Sequence, residues 1–187
     1  VGAWTGASEV AAWHTREKSC DFYDIKGIIV GLAYALGLDS LSFSALPDEQ
    51  CHFTRKGHTA QFTCGEQNLG IVGEVADAVL ANYGIKQQAF IFELDVEILG
   101  RLISTDRQMA PIPRFPSTTR DITVIIDASI ESERLLDTVA RFDEPWVDAL
   151  QLFDVFVGDP IPPGKKSISF RVVYQADDRT LEDETVN

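Results

Sequence analysis

Hydrophobic residues recur along the first part of the chain with the spacings of short helices and strands. Between Asp24 and Leu36 they fall at helical intervals, and Gly37 follows, so we predict a helix that ends there. Either Asp24 or the preceding Asp21 is suited to cap its start. Alternation of apolar and polar residues then predicts a short strand over 41–45.

Two apolar segments separated by a turn-forming stretch follow. We interpret 59–64 and 69–75 as a hairpin joined through 65–68. Gly70 and Gly73, in its second strand, favour close packing of neighbouring strands. Further predictions are a short helix over 76–82, a strand over 89–94 that is buried on both faces, and a helix over 96–103.

Three prolines then interrupt the pattern within residues 111–116, among several serines and threonines. Such a density of proline blocks both a helix and a central strand. We therefore interpret 104–119 as an extended linker. It separates a first domain at 1–103 from a second at 120–187.

The second domain begins with a clear pattern. It predicts a strand over 121–127, a helix over 131–142, and two strands over 149–157 and 167–174 with a proline-rich turn between them. This β-α-β-β order matches the first four elements of the split βαβ ferredoxin-like unit. The fold class expected for the whole chain is therefore α+β.

The two ends of the sequence suggest that it is a fragment. It starts with Val1 rather than Met, and it stops at Asn187, soon after Thr180 and a run of acidic residues that resembles the capped first turn of a further helix. We therefore expect a truncated ferredoxin-like domain.

Composition and charge narrow the function. Of 187 residues, 45% are hydrophobic and 24% charged, as in a globular protein, and no apolar run is long enough for a membrane helix. The net charge of −13 argues against non-specific coating of nucleic acid. Residues 1–110 carry 8 basic and 14 acidic side chains, and residues 111–187 carry 8 and 15. Any contact with RNA must therefore be a small local patch.

Candidate chemistry in the first domain is weak. Cys51, His52, His58 and Cys64 are residue types that bind zinc, but they lack the C-x-x-C pair of a typical site, so ordinary loop histidines with a core thiol are the favoured interpretation. We expect no metal.

A hydrolase built from Cys20, His14 and Asp24 lacks any motif that activates its nucleophile, so we expect no catalytic residue. Three cysteines, odd in number and widely spaced, are typical of reduced thiols in the cytosol.

A basic cluster lies between the last two predicted strands. Lys165 and Lys166 are adjacent there, and Arg171 and Arg179 extend the cluster toward the end of the chain. These residues either contact a phosphate backbone or form an ordinary solvated turn. Residue chemistry alone favours the solvated turn and leaves the phosphate contact as the alternative.

Taken together, the motifs of the second half resemble the ferredoxin-fold anticodon-binding domain of the bacterial phenylalanyl-tRNA synthetase beta subunit family. The matching stretches are Arg114-Phe115-Pro116, Thr119-Arg120-Asp121-Ile122, Leu152-Phe153-Asp154-Val155-Phe156, Gly164-Lys165-Lys166-Ser167-Ile168 and Asp178-Arg179-Thr180-Leu181-Glu182-Asp183-Glu184.

The first half resembles the end of the catalytic-like domain of the same family. The matching stretches are Thr5-Gly6, Trp13, Asp21-Phe22-Tyr23-Asp24-Ile25-Lys26-Gly27, Gly70-Ile71-Val72-Gly73-Glu74 and Phe92-Glu93-Leu94-Asp95. Two stretches depart from the family. Arg55-Lys56-Gly57-His58 stands where a His-Pro-Gly-Arg type is usual, and Glu74-Val75-Ala76-Asp77 where Glu-Leu-His-Pro is usual.

The resemblance implies a class II synthetase-like antiparallel sheet with helices, followed by the truncated ferredoxin-like domain. It implies part of a cytoplasmic phenylalanine-tRNA ligase whose alpha subunit charges tRNA(Phe) using ATP and Mg²⁺. The beta-subunit fragment would be inactive alone and hold no cofactor. Its partners would be the alpha subunit, docked on exposed apolar surface of the first half, and tRNA(Phe), with neither membrane nor DNA.

The basic members of the matched motifs are the expected tRNA phosphate contacts, namely Arg120, Lys165, Lys166 and Arg179. For Arg120 the alternative is an ion pair with an acidic neighbour inside the domain. The alternative for the whole chain is a free-standing ferredoxin-like module that binds a small ligand or self-associates.

Overall fold

The computed structural model describes residues 1–38, 41–103, 112–142 and 144–186. It divides the chain into two compact units, Val1–Gln108 and Met109–Asn187. Most of the expected linker, residues 104–111, lies outside the described residues. In the described part, no helix is both long and apolar enough to cross a membrane.

The first unit is built on an antiparallel sheet with the strand order β1-β5-β4-β3-β2. Its strands are β1 (Gly2–Thr5), β2 (Leu41–Ala45), β3 (Thr54–Cys64), β4 (Gln67–Val75) and β5 (Ala89–Leu94). The predicted hairpin is confirmed as β3 and β4, with longer strands than expected. The pattern did not predict β1, because four residues are too few to show a period.

Three helices accompany this sheet: α1 (Phe22–Leu36), α2 (Asp77–Asn82) and α3 (Val96–Leu102). The predicted caps of α1 are confirmed. Asp21 accepts hydrogen bonds from the backbone N–H groups of Tyr23 and Asp24, while the Asp24 carboxylate accepts one from the N–H of Asp21. Gly37 ends the helix in the left-handed conformation that glycine favours.

The core of the first unit lies between α1 and the sheet. Buried side chains at helical spacing on α1 pack against apolar side chains of β3, β4 and β5. The members are Ile25, Ile29 and Ala33 from α1, and Phe62, Leu69, Val72 and Phe90 from the strands. The prediction that β5 is buried on both faces holds at its start, where the successive residues Ala89 and Phe90 are both buried, but not at Glu93, which is exposed.

The two glycines of β4 lie against neighbouring backbone. A Cβ added at Gly70 would come within 1.9 Å of the Glu93 carbonyl oxygen, and one at Gly73 within 2.9 Å of the His58 carbonyl oxygen. Close strand packing at these positions is therefore confirmed.

The second unit has the predicted β-α-β-β order. Its elements are β6 (Thr118–Asp127), α4 (Ser132–Ala140), β7 (Val147–Phe156), β8 (Lys165–Tyr174) and the short α5 (Asp183–Val186). The sheet is antiparallel with the order β6-β8-β7, which confirms the α+β class. β6 begins inside the stretch interpreted as linker, because Thr118 and Thr119 pair with the end of β8.

One face of the second sheet is covered by α4. Ile168, Phe170 and Val172 of the central strand β8 are buried there. They pack against Leu135, Leu136 and Val139 of α4, which carry the helical spacing read in the sequence. Since side chains alternate along a strand, every second residue of β8 points to the opposite face.

Candidate nucleic-acid interface

The face of the second sheet away from α4 carries two ion pairs across β6 and β8. The Arg171 guanidinium donates from Nε to Oδ1 of Asp121 at 2.7 Å and from Nη2 to Oδ2 at 2.9 Å. Lys165 Nζ donates to Oδ1 of Asp127 at 2.9 Å. Both pairs follow directly from the strand register, which places these residues opposite each other.

Large apolar side chains are exposed beside these ion pairs. The Cζ atom of Arg171 lies 5.7 Å from the ring centroid of Phe153. Phe156 and Ile125 both lie opposite Ser167, one on each side of β8. The term open sheet face is used below for the following set: Asp121, Ile125, Asp127, Phe153, Phe156, Lys165 and Arg171.

The Asp121–Arg171 pair remains fully charged near neutral pH. Hydrogen bonds from Arg171 lower the pKa of Asp121 below its ordinary value; desolvation opposes this shift, and the positive charge of Arg171 adds to it. The same hydrogen bonds raise the pKa of Arg171. A fork of two parallel charge-assisted bonds also fixes the plane of the guanidinium.

The two adjacent lysines lie in β8 rather than in the preceding turn, and they point to different faces. Lys165 belongs to the open sheet face and is paired with Asp127. Lys166 lies opposite Ile126 on the side that α4 covers, near the start of β8. Adjacent lysines on a strand cannot act on one face, because successive side chains alternate.

Arg120 makes the internal pair that was its alternative interpretation. It lies opposite the buried Val172, and its Nη2 atom donates to Oδ1 of Asp183 in α5 at 2.6 Å. Its side chain is only 28% exposed, so a phosphate would compete with an existing ion pair. Arg179 is exposed, and its Cζ atom lies 5.6 Å from the ring centroid of Trp146.

Sequence reasoning missed Phe153 and Phe156 as members of one surface. Their positions differ by three, an odd number, so strict alternation along a strand assigns the two side chains to opposite faces. A register shift between Leu152 and Asp154 breaks that alternation, and Phe153 lies beside Arg171 as a result. The aromatic composition of 152–156 was the available signal, but only the pairing with β8 places it.

In the first unit, the side chain of Glu74 is nearly buried, accepts hydrogen bonds from two side chains and lies beside a third polar group. Its Oε1 atom accepts from Arg55 Nη1 at 2.9 Å and from Gln88 Nε2 at 2.7 Å, and its Oε2 atom lies 2.8 Å from His58 Nδ1. Burial alone would raise the pKa of Glu74, but the hydrogen bonds of Gln88 and Arg55 and the nearby positive charge lower it. Glu74 thereby holds the irregular part of β3 against β4.

The side chains of the candidate metal and hydrolase sites are not arranged for either chemistry in the described residues. Across the described ranges, no three His, Cys, Asp or Glu side chains converge as metal ligands. Cys20 is buried, and burial raises the pKa of its thiol, the opposite of what a nucleophile needs. Asp24 serves the cap of α1, and the ring of His14 packs edge-on against that of Trp13.

A second surface lies on α1, opposite its buried stripe. Tyr23, Gly27, Val30, Gly31 and Tyr34 fall at intervals of three and four residues, and all five are exposed. We call these five residues the α1 outer face. It carries no charge, although the helix is long enough for four turns.

Models of two protein families match the chain, one for each half. Residues 1–96 match the model described as the phenylalanyl tRNA synthetase beta chain CLM domain. Residues 113–187 match the ferredoxin-fold anticodon binding domain. These are the two resemblances read from the motifs, in the expected order, and both are confirmed.

Similar proteins bear the name phenylalanine–tRNA ligase beta subunit. The relative from Geobacillus kaustophilus is 36% identical over 187 residues, and that from Lactiplantibacillus plantarum 35% over 188, each covering 100% of this chain. The relative from Syntrophus aciditrophicus is 31% identical over 98% of it. The chain spans 23% of the length of the first two relatives and 22% of the third.

Proposed function

Because the chain belongs to the phenylalanyl-tRNA synthetase beta chain family, we propose that it works as part of a phenylalanine–tRNA ligase. In this proposal the enzyme is the assembly with an alpha subunit, in the cytoplasm, and it charges tRNA(Phe) at the expense of ATP with Mg²⁺. The chain contributes binding rather than chemistry. Its second unit contacts the anticodon region of the tRNA, and its first unit docks on the alpha subunit.

The observation that carries the tRNA contact is the match of residues 113–187 to an anticodon-binding domain. The open sheet face supports it, because an uncovered sheet with exposed aromatic and basic side chains suits unpaired RNA. Lys165 is the one predicted phosphate contact that lies on this face. Lys166 and Arg179 remain predicted contacts at other positions of the unit.

Charge limits how much affinity this unit supplies. Residues 111–187 carry 8 basic and 15 acidic side chains, and Lys165 and Arg171 are each paired with an aspartate. Phosphate contacts release counterions and dominate non-specific binding, but they need a net positive surface. The proposed contact is therefore local and shape-dependent, while other parts of the assembly supply most of the affinity.

The α1 outer face supports docking in the first unit. The solvent side of a surface helix normally carries charged or polar residues, whereas the α1 outer face is exposed and uncharged. An uncharged face of this kind fits an apolar protein surface better than it fits RNA. We assign it to the alpha subunit, the partner that a beta subunit requires.

The phosphate contacts are tested in the complete beta subunit co-expressed with the alpha subunit. We expect the double variant Lys165→Ala/Lys166→Ala to reduce the slope of log K against log salt for tRNA(Phe) binding by about 1 to 2, since each phosphate contact contributes about 0.7 to 0.9. The matched control is Lys56→Ala/Lys86→Ala, which removes two exposed lysines of the first unit.

An unchanged slope in the Lys165/Lys166 variant rejects these lysines as phosphate contacts. Absence of any tRNA(Phe) binding by the unsubstituted assembly rejects the proposed function itself. A slope that falls equally in the control shows a general charge effect, and it also rejects the local contact.

A further inference from the structure

Trp13 is one of the residues that carry the family resemblance, and its side chain lies outside the apolar clusters of the described residues. It is 97% exposed, whereas Trp4 packs against the core of the first unit and Trp146 against a small cluster of the second. Tryptophan is highly buried on average, because its ring removes a large apolar area from water. The packing of the chain itself therefore does not explain this residue.

A hairpin-like arm carries Trp13 at its tip. We call residues 7–19, which lie between β1 and α1, the Trp13 arm. Its two sides meet in antiparallel bridges between Ala7 and Ser19 at the base and between Ala12 and Thr15 at the tip. The N–H of Thr15 donates to the carbonyl oxygen of Ala12 at 3.2 Å, which closes a tight turn around Trp13. The ring of Trp13 thus projects into solvent from the end of the arm.

The base of the arm is fixed to the first unit. The N–H of Cys20, a buried residue, donates to the carbonyl oxygen of Gly6 at 2.8 Å. Lys18 Nζ donates to Oδ2 of Asp21, the N-cap residue of α1, at 2.9 Å. Fixing a segment before association lowers the conformational entropy that binding must remove. The arm therefore offers Trp13 to a partner from a fixed base.

The composition of the tip favours an apolar protein surface as the partner. Residues 10–15 contain no aspartate, glutamate, lysine or arginine, and residues 10–14 are all exposed. Val10, which is 92% exposed, adds a second large apolar side chain to the tip. Binding to an RNA backbone needs basic side chains, whereas the buried centre of a protein interface is depleted of charge and enriched in tryptophan. The tip therefore fits a protein better than it fits RNA.

The alpha subunit of the proposed assembly is the protein that this surface suits. The Trp13 arm leads directly into α1, and the exposed Tyr23 in the first turn of α1 begins the α1 outer face assigned to that subunit. Both surfaces present exposed apolar or aromatic side chains in a unit that is acidic as a whole. An interface that continues from the first turn of α1 onto the arm would cover both.

We propose that Trp13 is an anchor residue of the interface with the alpha subunit, with its ring filling an apolar pocket of that subunit and Val10 packing beside it. A few buried aromatic residues carry most of the binding energy in typical protein interfaces. The proposal rests on the proposed function and deepens it, because it assigns an anchor outside α1 to the docking already assigned to the α1 outer face.

The first experiment identifies what lies against the tip of the arm. A photo-reactive benzophenone amino acid replaces Trp13 in the complete beta subunit, which is co-expressed with the alpha subunit. Illumination joins the benzophenone covalently to a molecule in contact with it, and we expect a product that contains both subunits. The matched control carries the same amino acid in place of Tyr83, which is 79% exposed in the same unit, and it should give no product with the alpha subunit.

The second experiment measures how fast the alpha subunit exchanges between tagged and untagged assemblies. Trp13→Ala should raise the exchange rate at least tenfold, because removal of an anchor acts mainly on dissociation. Trp13→Phe keeps an aromatic ring and should raise the rate less.

The matched control for the exchange assay is Tyr83→Ala, which removes an equally accessible aromatic ring elsewhere in the first unit and should leave the exchange rate unchanged. Neither substitution at Trp13 should alter folding, since the ring is exposed in the chain. A faster exchange is therefore a loss of contact with the partner rather than a loss of structure.

The outcomes separate this inference from the proposed function. If the assembly forms, but position 13 gives no product with the alpha subunit or Trp13→Ala exchanges at the original rate, the anchor is overturned while the proposed function stands. A product with tRNA, or with another segment of the beta subunit, in place of the alpha subunit also overturns the anchor. If the unsubstituted beta subunit forms no complex with the alpha subunit, both fail.

Discussion

Glu74 shows how one buried charge is made tolerable by its neighbours. Its side chain is 5% exposed, yet Arg55, His58 and Gln88 all reach its oxygens. An ionised carboxylate without such partners would be strongly disfavoured in this position. Arg55 and His58 thus flank the carboxylate on the β3 side, and Gln88 reaches it from the loop before β5.

The first prediction concerns Glu74→Gln. At neutral pH we expect the free energy of unfolding to fall by about 1–3 kcal/mol, because charge-assisted hydrogen bonds are lost in a nearly dry site. Urea denaturation at pH 7 measures this. Glu66→Gln is the control, since Glu66 is an exposed residue in the turn between β3 and β4, and it should leave the stability unchanged.

The pH dependence of the same variant gives a second readout. The pKa of Glu74 is lowered from its ordinary value of 4.5, so the unfolded state binds a proton first as the pH falls. The stabilisation by Glu74 is complete above pH 4.5 and is lost as the pH falls through the lowered value. The difference between the original protein and Glu74→Gln should therefore shrink below pH 4.5, and parallel pH profiles would contradict this account.

Contacts of this kind are beyond the reach of sequence patterns. Asp21 and Gly37 were predictable because a cap depends on residues within one turn. The neighbours of Glu74 lie 14 to 19 residues away, and the register of β3, β4 and β5 decides which of them meet. The pair Arg120–Asp183 spans 63 residues and was foreseen only as one of two alternatives.

At the scale of elements, periodicity predicted most of the architecture. α1, β2, β5 and the four elements of the β-α-β-β unit all lie within a few residues of their predicted positions. The failures have local causes. Because of a register shift in β7, the sequence did not show that Phe153 and Phe156 share a face. Pairing with partner strands extended β3 and β6 beyond the apolar segments from which they were predicted.

Two glycine substitutions test the packing of these elements with opposite signs. Gly70→Ala should destabilise the protein by about 3 kcal/mol, because its Cβ would overlap the backbone of β5 and overpacking forces the strands apart. Gly27→Ala should stabilise it by about 0.5–1 kcal/mol, since this position in α1 has open space and alanine favours a helix.

Urea midpoints of the two glycine variants and the original protein provide the comparison. Equal midpoints for Gly70→Ala and the original protein would show that the strands separate at no cost. That result would remove the packing explanation for both glycines of β4.

At the scale of the whole molecule, both units are acidic, and yet the described part of each includes a surface that is not dominated by acid. In the second unit this is the open sheet face, where aspartates neutralise the basic residues. In the first unit it is the α1 outer face, which carries no charge at all. Since repulsion between acidic surfaces opposes association, these are the places where binding costs least.

The final prediction tests the α1 outer face as the docking surface for the alpha subunit. We expect Val30→Glu/Tyr34→Glu to reduce co-purification of a co-expressed alpha subunit at least tenfold, because docking would bury two carboxylates without partners. Folding should be unaffected, since both side chains already face solvent. Tyr83→Glu, at a tyrosine that is 79% exposed just after α2, is the matched control and should co-purify normally.

Undiminished recovery of the alpha subunit with Val30→Glu/Tyr34→Glu would place the alpha subunit on another surface. Loss of the alpha subunit with Tyr83→Glu as well as with the double variant would point to added charge rather than to α1. Because the substituted positions are solvent-exposed in the chain alone, a selective loss is explained only by a partner that covers them.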